Sequence, residues 1–296
     1  MNSVKALCPA KINLTLDVIG LREDGYHNVK MIMQTVSLYD EIVVTPAFTN
    51  AVHISCNIPY VPKNEKNAAF KAALAFFDYT KIQNTGLKIA INKKIPVAAG
   101  LAGGSTDAAG VILALNYLFS TELPIKSLME IGLSVGADVP YCIMGGTALA
   151  EGIGEALTKL LPLPDCCIVL AKPPSPVSTP SIYKMLDEKS IFEHPDTDGM
   201  IKSLSAGDLN GVSRRLFNVL ESVSVNICPQ ISEIKRTISD CSPLGAVMSG
   251  SGPTVFGIFD SEEKAKKCKT ACKKLVKEVF LVKPVDKGIT IYEIDN

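Results

Sequence analysis

A glycine-rich segment between a predicted strand and a predicted helix is the strongest chemical signal in the sequence. Residues 96–109 read Pro-Val-Ala-Ala-Gly-Leu-Ala-Gly-Gly-Ser-Thr-Asp-Ala-Ala, and the three glycines permit positive φ and leave backbone N–H groups uncovered. A helix is predicted after these glycines, and we expect Ser105 or Thr106 to cap it. Free N–H donors and the positive end of a helix dipole favour an anion, so this segment predicts a phosphate site.

Two common phosphate motifs do not account for this segment. No lysine follows the glycines as GxxxxGK[ST] requires, and their spacing is not GxGxxG. The alternative without chemistry is a glycine turn in front of a capped helix.

Two further segments carry polar residues that could act on a phosphate or a hydroxyl. Lys11 and Asn13 share one face of a predicted strand, opposite Ile12 and Leu14. Asp138 lies in the segment Gly-Ala-Asp-Val-Pro, where the proline holds the preceding residue extended. Taken alone, the first pair could be the polar outer face of a strand, and Asp138 could be a turn or cap residue.

The composition indicates a folded protein with no bulk attraction for polyanions. The 296 residues contain 30 Lys+Arg and 30 Asp+Glu, so the formal net charge is zero, and 47 % of the residues are apolar. Zero net charge argues against nucleic acid or an anionic membrane as a partner. Any anionic ligand must therefore meet a local site.

The cysteines and the N-terminus predict a reduced, cytoplasmic protein. Nine cysteines cannot all pair within one chain, and their spacing includes no CxxC pair. The first residues lack a charged segment followed by an apolar one, and no apolar run approaches the length of about 18 residues that spans a membrane.

The periodicity of apolar residues predicts a mixed α and β chain with two domains. Strands are expected over residues 4–8, 12–18, 31–38, 41–44, 87–91 and 167–171, a strand–turn unit over 245–259, and helices over 67–79, 106–119, 127–135 and 262–279. The proline-containing segment 159–165 is the best candidate boundary, which gives domains 1–160 and 161–296. The lysine-rich helix at 262–279 is expected to be a solvated outer face.

Four motifs in order resemble those of the GHMP small-molecule kinases. They are Pro-Ala-Lys-Ile-Asn-Leu at 9–14, Gly-Leu-Ala-Gly-Gly-Ser at 100–105, Gly-Ala-Asp-Val-Pro at 136–140 and Met-Ser-Gly-Ser-Gly-Pro-Thr at 248–254. The resemblance runs nearly end to end, and the one small departure is Ala102, where many family members have glycine. Gly-Tyr-His at 25–27 and Ser-Thr-Pro-Ser-Ile-Tyr at 178–183 favour the members of the non-mevalonate isoprenoid pathway, which act on a cytidine-diphosphate-linked sugar alcohol.

The resemblance implies a fold and a set of partners. The expected fold is α+β, with a ribosomal protein S5 domain 2-like N-terminal domain, a ferredoxin-like C-terminal domain and the active site in the cleft between them. The expected ligands are ATP, Mg²⁺ without an assigned protein ligand, and a small-molecule alcohol, in a monomer or weak homodimer.

The resemblance also implies roles for particular residues. Asp138 would accept the proton of the substrate hydroxyl, and Lys11 would stabilise the transferred negative charge. Asn13 and Thr179 would help hold the substrate, Tyr26 and Tyr183 would stack on the cytosine, and His27 would bind the base edge. The ATP phosphates would be wrapped by one loop: Pro96, Val97, Ala98, Ala99, Gly100, Leu101, Ala102, Gly103, Gly104, Ser105 and Thr106.

Two alternatives stay open at this point. One is a kinase of the same family for another alcohol, of the homoserine or mevalonate type. The other is a nucleotide-binding regulator that has lost the chemistry, against which the joint presence of Lys11 and Asp138 argues. For any of the kinases the cleft is expected to be locally positive, with no carboxylates beyond Asp138 and Asp107.

Overall fold

The structure is a computed structural model that describes residues 3–189, 191 and 193–294. Within these residues the chain forms two β-sheets covered by helices. The strands of the first sheet are β1 (Ser3–Leu21), β2 (His27–Pro46), β3 (Val52–Cys56), β4 (Leu87–Asn92), β5 (Thr147–Glu151), β6 (Ala156–Lys159), β8 (Phe217–Asn218) and β12 (Thr290–Ile294). The strands of the second are β7 (Cys167–Lys172), β9 (Gly245–Met248), β10 (Val255–Phe259) and β11 (Glu278–Val282).

The helices follow the chain in two groups. The first group is α1 (Ala68–Thr80), α2 (Gly103–Leu118), α3 (Ile125–Val135) and α4 (Val139–Met144). The second is α5 (Thr179–Asp187), α6 (Thr197–Ser205), α7 (Leu209–Arg214), α8 (Glu221–Ile227), α9 (Gln230–Ser239) and α10 (Glu262–Cys272). None of the helices in the described part of the chain has the length and apolar character needed to span a bilayer.

The first sheet is built on one long antiparallel hairpin. The sequence predicts two separate strands on each side, but β1 and β2 run unbroken, with register shifts after Pro9, Asn13 and Val18. Such bulges let a strand bend without ending. The apolar side chains between the first two shifts, Ala10, Ile12 and Leu14, pack in a different hydrophobic core from those on either side of them. The alternate face of this segment, with Lys11 and Asn13, is thereby turned toward a cleft.

The second sheet confirms the ferredoxin-like expectation. Its strand order is β11-β7-β10-β9, so the four strands taken in chain order lie 4-1-3-2 across an antiparallel sheet. Helices α9 and α10 pack on this sheet through apolar residues such as Ile234, Ile238, Cys268 and Cys272, all of which are buried.

The predicted helix at 262–279 is wrong in its second half. Helix α10 ends at Cys272, and Val279 lies in β11, which pairs with the edge of the sheet at β7. The lysines at 273, 274 and 277 suit a turn or an exposed strand as well as a helix, so periodicity alone did not mark the end. On α10, Lys266 and Lys267 form exposed ion pairs with Glu262 and Glu263 one turn away. This is the charge pattern of a solvated helix face.

The last strand returns to the first sheet. β12 pairs antiparallel with β1 over Ser3–Leu7, although it follows the whole second sheet in the chain. The short strand β8 also pairs with β1. The division into 1–160 and 161–296 therefore stays a prediction, to which these two strands would be exceptions.

Candidate active site

A cleft of about 940 Å³ brings together most of the residues that the sequence singles out. Sixteen of them line it: Lys11, Asn13, Tyr26, His27, Pro96, Val97, Ala98, Ala99, Gly100, Ala102, Gly103, Gly104, Ser105, Asp138, Thr179 and Tyr183. Leu101 and Thr106 do not, because both side chains are buried in the protein beside the loop. The second-half residues Val177 and Gly250 to Gly252 complete the opposite wall.

The glycine-rich loop leads directly into α2 with its backbone N–H groups exposed at the turn. Gly100 has a φ of 72°, and Ala98 and Ala102 adopt left-handed φ values of 51° and 55°. The N-cap is Ala102, with no side-chain hydrogen bond, so the expected capping by Ser105 or Thr106 is wrong. The first N–H groups of the helix therefore have no partner inside it and are open to an anion.

Ser249 joins the fourth motif to the first two. Its hydroxyl donates to the carbonyl of Gly100 (3.0 Å) and accepts from the backbone N–H of Asn13 (3.2 Å). A side chain on Gly100 would lie 2.2 Å from the carbonyl oxygen of Ser249, so the two loops pack backbone against backbone. Gly250 follows with a φ of 57°. Three segments that are distant in sequence are thus held as one unit.

Lys11 lies between an amide and a carboxylate. Its Nζ donates to Asn13 Oδ1 at 2.7 Å and is 3.8 Å from Asp138 Oδ2. Lys11 is only 5 % exposed, and its backbone N–H donates to the carbonyl of Leu101 at 3.1 Å, in the glycine-rich loop 96–106 that the sequence predicts as the phosphate loop. Asn13 is fully buried and also donates to the sulfur of Met31 at 3.2 Å. Its amide therefore holds the ammonium of Lys11 in place.

Asp138 is free to act in the cleft. It is the N-cap of α4 by position, but its side chain makes no capping hydrogen bond. The carboxyl is one-third exposed beside Lys11. An ionised carboxylate next to a buried ammonium and open to a ligand can accept a proton from a hydroxyl.

A buried charged cluster that the sequence did not reveal lies beneath the phosphate loop. Lys93 Nζ donates to Asp107 Oδ2 at 2.8 Å and to Asp40, whose other oxygen accepts the backbone N–H groups of Lys94 and Ile95. Burial lowers the pKa of Lys93, but the charges of Asp107 and Asp40 outweigh it, and the pKa is raised overall. Lys93 therefore stays charged under the first turn of α2.

The two carboxylates of this cluster are not equivalent. Asp107 Oδ1 is buried without a hydrogen-bond partner, whereas Asp40 accepts three donors. Burial, together with the charge of Asp40, raises the pKa of Asp107 well above its ordinary value in spite of Lys93. Asp107 is therefore protonated more readily than an ordinary aspartate.

The other end of the cleft is aromatic. The rings of His27 and Tyr183 lie 4.8 Å apart between centroids at an angle of 39°. Tyr26 is 60 % exposed at the cleft rim, and Thr179 Oγ1 hydrogen-bonds to Ser251 Oγ at 2.7 Å. Burial and, after it, the negative charge of Asp138 raise the pKa of Tyr183. The phenol of Tyr183 is therefore near enough to the carboxylate of Asp138 to interact with it electrostatically.

The charge of the cleft differs in one respect from expectation. Four lysines line it (Lys11, Lys66, Lys93 and Lys184), against three carboxylates (Asp107, Asp138 and Asp187). The expectation of no carboxylate beyond Asp138 and Asp107 is wrong, because Asp187 is present at the aromatic end. It is paired with His27, at 2.7 Å from Nε2 to Oδ1.

A second wall beside the phosphate loop was also missed. Tyr60, Pro62 and Asn67 line the cleft just before and at the start of α1, and Asn67 caps that helix by accepting from the N–H of Ala69. The asparagine in front of an apolar run is a capping signal in the sequence, but nothing in the sequence places it next to the glycines.

Comparisons with known proteins agree with this architecture. The sequence model of the GHMP kinases N terminal domain matches residues 67–146, and that of the GHMP kinases C terminal domain matches 200–278. A 4-diphosphocytidyl-2-C-methyl-D-erythritol kinase from Clostridium botulinum (strain Eklund 17B / Type B) is 49 % identical over 93 % of this chain and 98 % of its own length. One from Lachnospira eligens is 48 % identical over 90 % of this chain and 93 % of its own.

Solved structures show the same fold. A crystal structure of 4-(cytidine 5'-diphospho)-2C-methyl-D-erythritol kinase is 31 % identical, with a TM-score of 0.79 over 95 % of this chain and 98 % of that one. A homoserine kinase from Cytophaga hutchinsonii has a TM-score of 0.81 over 99 % and 98 % at 21 % identity, which speaks for the fold alone. With two domain models covering more than half of its length and relatives at nearly half identity, this chain belongs to the GHMP kinase family.

Proposed function

We propose that this kinase transfers the γ-phosphoryl group of ATP to the 2-hydroxyl of 4-diphosphocytidyl-2-C-methyl-D-erythritol, a step of the non-mevalonate route to isoprenoid precursors. The relatives that are nearly half identical over almost their whole length carry that activity in their names. The observation that carries the proposal is that one cleft contains both the groups expected to act in phosphoryl transfer and the aromatic groups expected to bind the base. Lys11 and Asp138 line the same cleft as the glycine loop and the aromatic pair His27 and Tyr183.

The phosphate loop supplies positive potential without a Walker lysine. The unpaired N–H groups at the start of α2 would face the phosphates of ATP, and the ammonium of Lys11 lines the same cleft. Tyr60, Pro62 and Val97 form an apolar wall beside the loop, which suits the flat face of the purine.

Lys11 and Asp138 would carry the transfer itself. Asp138 accepts the proton of the 2-hydroxyl while the oxygen of that hydroxyl bonds to the γ-phosphorus. The bond between the γ-phosphorus and the oxygen of ADP breaks, and ADP leaves with its electrons. Lys11, held by Asn13 and 3.8 Å from Asp138, would stabilise negative charge on the transferred group. Because this reaction offers little covalent chemistry to the protein, such positioning supplies most of the rate.

The donor set fits a magnesium ion that is held mainly by the nucleotide. No group of three or more histidine, cysteine or carboxylate side chains in the described residues could hold a metal alone. Ser105 and Asp138 present hard oxygen donors in the same cleft, and Mg²⁺ commonly takes one or two protein oxygens besides phosphates and water. When bound, the ion would neutralise phosphate charge.

The aromatic end would bind the cytidine. Stacking on an aromatic ring contributes about 1–3 kcal/mol per base, so Tyr26 and Tyr183 on either face could supply much of the affinity. Lys184, on the same helix as Tyr183 and exposed in the cleft, is a cation within reach of the diphosphate.

We also propose a cytoplasmic location and a thiol-reduced state. All nine cysteines are unpaired, and seven of them are buried. Burial raises the pKa of Cys142 and Cys166, the latter to about 12, so these thiols are poor nucleophiles and are suited to packing.

A kinase of the same family for another small alcohol, of the homoserine or mevalonate type, is the alternative that the sequence left open. A coupled assay of ADP release separates the two. The purified chain with ATP is offered 4-diphosphocytidyl-2-C-methyl-D-erythritol, the same alcohol without its cytidylyl group, homoserine and mevalonate. Turnover of the first alone supports the proposal, whereas efficient turnover of homoserine or mevalonate would reject it.

A further inference from the structure

Helix α5 forms one wall of the aromatic end and is tied to its surroundings at both ends. At its C-terminal end, Asp187 Oδ1 lies 2.7 Å from His27 Nε2, at the start of β2 and 160 residues away in the chain. At its N-terminal end, Thr179 hydrogen-bonds to Ser251. The helix that carries Tyr183 is therefore anchored to both halves of the fold.

The imidazole of His27 is held between two groups. The carboxylate of Asp187 contacts Nε2, and the ring of Tyr183 contacts the ring of His27 at 4.8 Å between centroids. The side chain of His27 is only 10 % exposed, whereas that of Asp187 is 40 % exposed. With a hydrogen-bond partner on one nitrogen and a ring against one face, the orientation of the imidazole is fixed.

The contact with Asp187 also decides which ring nitrogen carries the proton. An ionised carboxylate accepts hydrogen bonds but cannot donate one, so Nε2 must be the donor. In the neutral imidazole, Nδ1 then keeps its lone pair. Across the residues that the structure describes, Nδ1 of His27 has no hydrogen-bond partner, and the side chain lines the cleft.

We propose that Asp187 is a positioning residue that determines base specificity: it orients His27 with Nε2 protonated, so that Nδ1 accepts a hydrogen bond from the exocyclic amino group of cytosine. Uracil carries a carbonyl oxygen at that position, and two acceptors facing each other leave both unsatisfied. The cleft therefore prefers cytidine over uridine diphosphate alcohols. This inference rests on the proposed function, since it takes the aromatic end as the site of the base.

Nitrogen NMR of the histidines tests the tautomer directly. The chain has three histidines, so His27 can be assigned by comparing ¹⁵N-histidine spectra of the parent and His27→Gln. At a pH well above the ordinary pKa of imidazole, we expect the proton of His27 on Nε2. A predominant Nδ1–H tautomer would overturn the proposal, and this measurement needs neither substrate nor activity.

Kinetics of Asp187→Ala test the consequence for binding. We expect the KM for the cytidylyl substrate to rise about five- to tenfold, with kcat and the KM for ATP within about twofold, because one oriented hydrogen bond is lost. The preference for the cytidylyl over the uridylyl substrate should fall by a similar factor. Asp260→Ala is the matched control, since Asp260 has similar exposure, one lysine partner and no contact with the cleft.

A double-mutant cycle separates this role from a merely structural one. If Asp187 acts through His27, adding Asp187→Ala to His27→Ala should change neither the KM nor the base preference further. Additive effects of the two substitutions, or an unchanged base preference in Asp187→Ala alone, would overturn the inference. If the parent enzyme does not phosphorylate the cytidylyl substrate at all, the proposed function is rejected. That result differs from the outcomes of the double-mutant cycle, which require an active parent enzyme.

Discussion

At the scale of single residues, the proposed phosphoryl transfer depends on how the ammonium of Lys11 is held. Lys11 is nearly inaccessible to solvent, and its long side chain would have several rotamers without a fixed partner. The amide of Asn13 contacts Nζ at 2.7 Å, closer than the 3.8 Å to Asp138. The amide thus orients the ammonium of Lys11, and as a neutral group it does not take up the proton that the substrate hydroxyl releases. Asn13 was predicted from the sequence as a substrate contact, and its contacts within the protein give it a positioning role as well.

Replacing Asn13 by Leu should therefore lower kcat more than it changes either KM. We expect a fall of about 10- to 100-fold, since displacing a catalytic group by about 1 Å costs rate on this order. Thr15→Val is the matched control: Thr15 is equally buried on β1 and accepts one hydrogen bond, from Ile32, but does not touch Lys11. Steady-state ADP release measures both variants. An equal loss of kcat in Thr15→Val would show that both substitutions act by disturbing β1, and it would contradict a specific role of Asn13 toward Lys11.

At the scale of elements, the start of α2 depends on charges buried beneath it. Lys93 contacts Asp40 on β2 and Asp107 in the first turns of α2, so it links the first sheet to the helix that follows the glycine-rich loop. When both are ionised, the two carboxylates around one ammonium leave an excess negative charge among largely buried groups. The raised pKa of Asp107 is the physical consequence of that burial.

Lys93→Met should lower the free energy of unfolding by about 3–5 kcal/mol, because it leaves two buried carboxylates without a cation. The neighbouring Lys94→Met is the matched control. Lys94 is half exposed and pairs with Glu41 at the surface, so we expect a loss of at most about 1 kcal/mol. Denaturant unfolding followed by circular dichroism measures both. Similar losses in the two variants would contradict a buried role for Lys93.

Asp107→Asn should change how stability depends on pH. The pKa of Asp107 in the folded protein is raised above its value in the unfolded chain, so the protonated group favours the folded state. Its contribution is present below the ordinary aspartate pKa of about 4 and is lost as the pH rises through the raised folded value. The stability of the parent relative to Asp107→Asn should therefore fall as the pH increases above about 4. Unfolding curves at several pH values measure this difference, and a difference that stays constant or rises with pH would refute the assignment.

At the scale of the whole molecule, the cleft exists because one strand serves both cores. β1 passes from the first core to the second between two bulges, and Ser249 joins it to the phosphate loop from the far side. Lys11, the glycine-rich loop and the fourth motif are therefore held together by backbone contacts and buried hydrogen bonds. Under the proposed function, a chain with zero net charge would bind two anionic substrates through the N–H groups at the start of α2 and the ammonium of Lys11, which line one cleft.

The sequence predicted the parts of the site that are written in local patterns. The glycine loop, Lys11 and Asp138 each lie in a short motif whose residue types imply a chemistry, and all of them line the cleft. The pairs Lys93–Asp40 and His27–Asp187 join residues 53 and 160 positions apart, and no local pattern marks them. Strand ends and the end of α10 were missed because bulges and sheet pairing, which depend on tertiary contacts, decide them.

The most direct test of the account is phosphoryl transfer by Asp138→Asn, measured in a single turnover alongside equilibrium binding of both substrates. We expect the rate of transfer to fall by about 10²–10⁴ while both dissociation constants stay within a few-fold, because the amide cannot accept the hydroxyl proton but fills the same space. Asp165→Asn, at an exposed surface pair with Lys283, should leave the rate unchanged. Transfer by Asp138→Asn within a few-fold of the parent would contradict the assignment of Asp138 as the base.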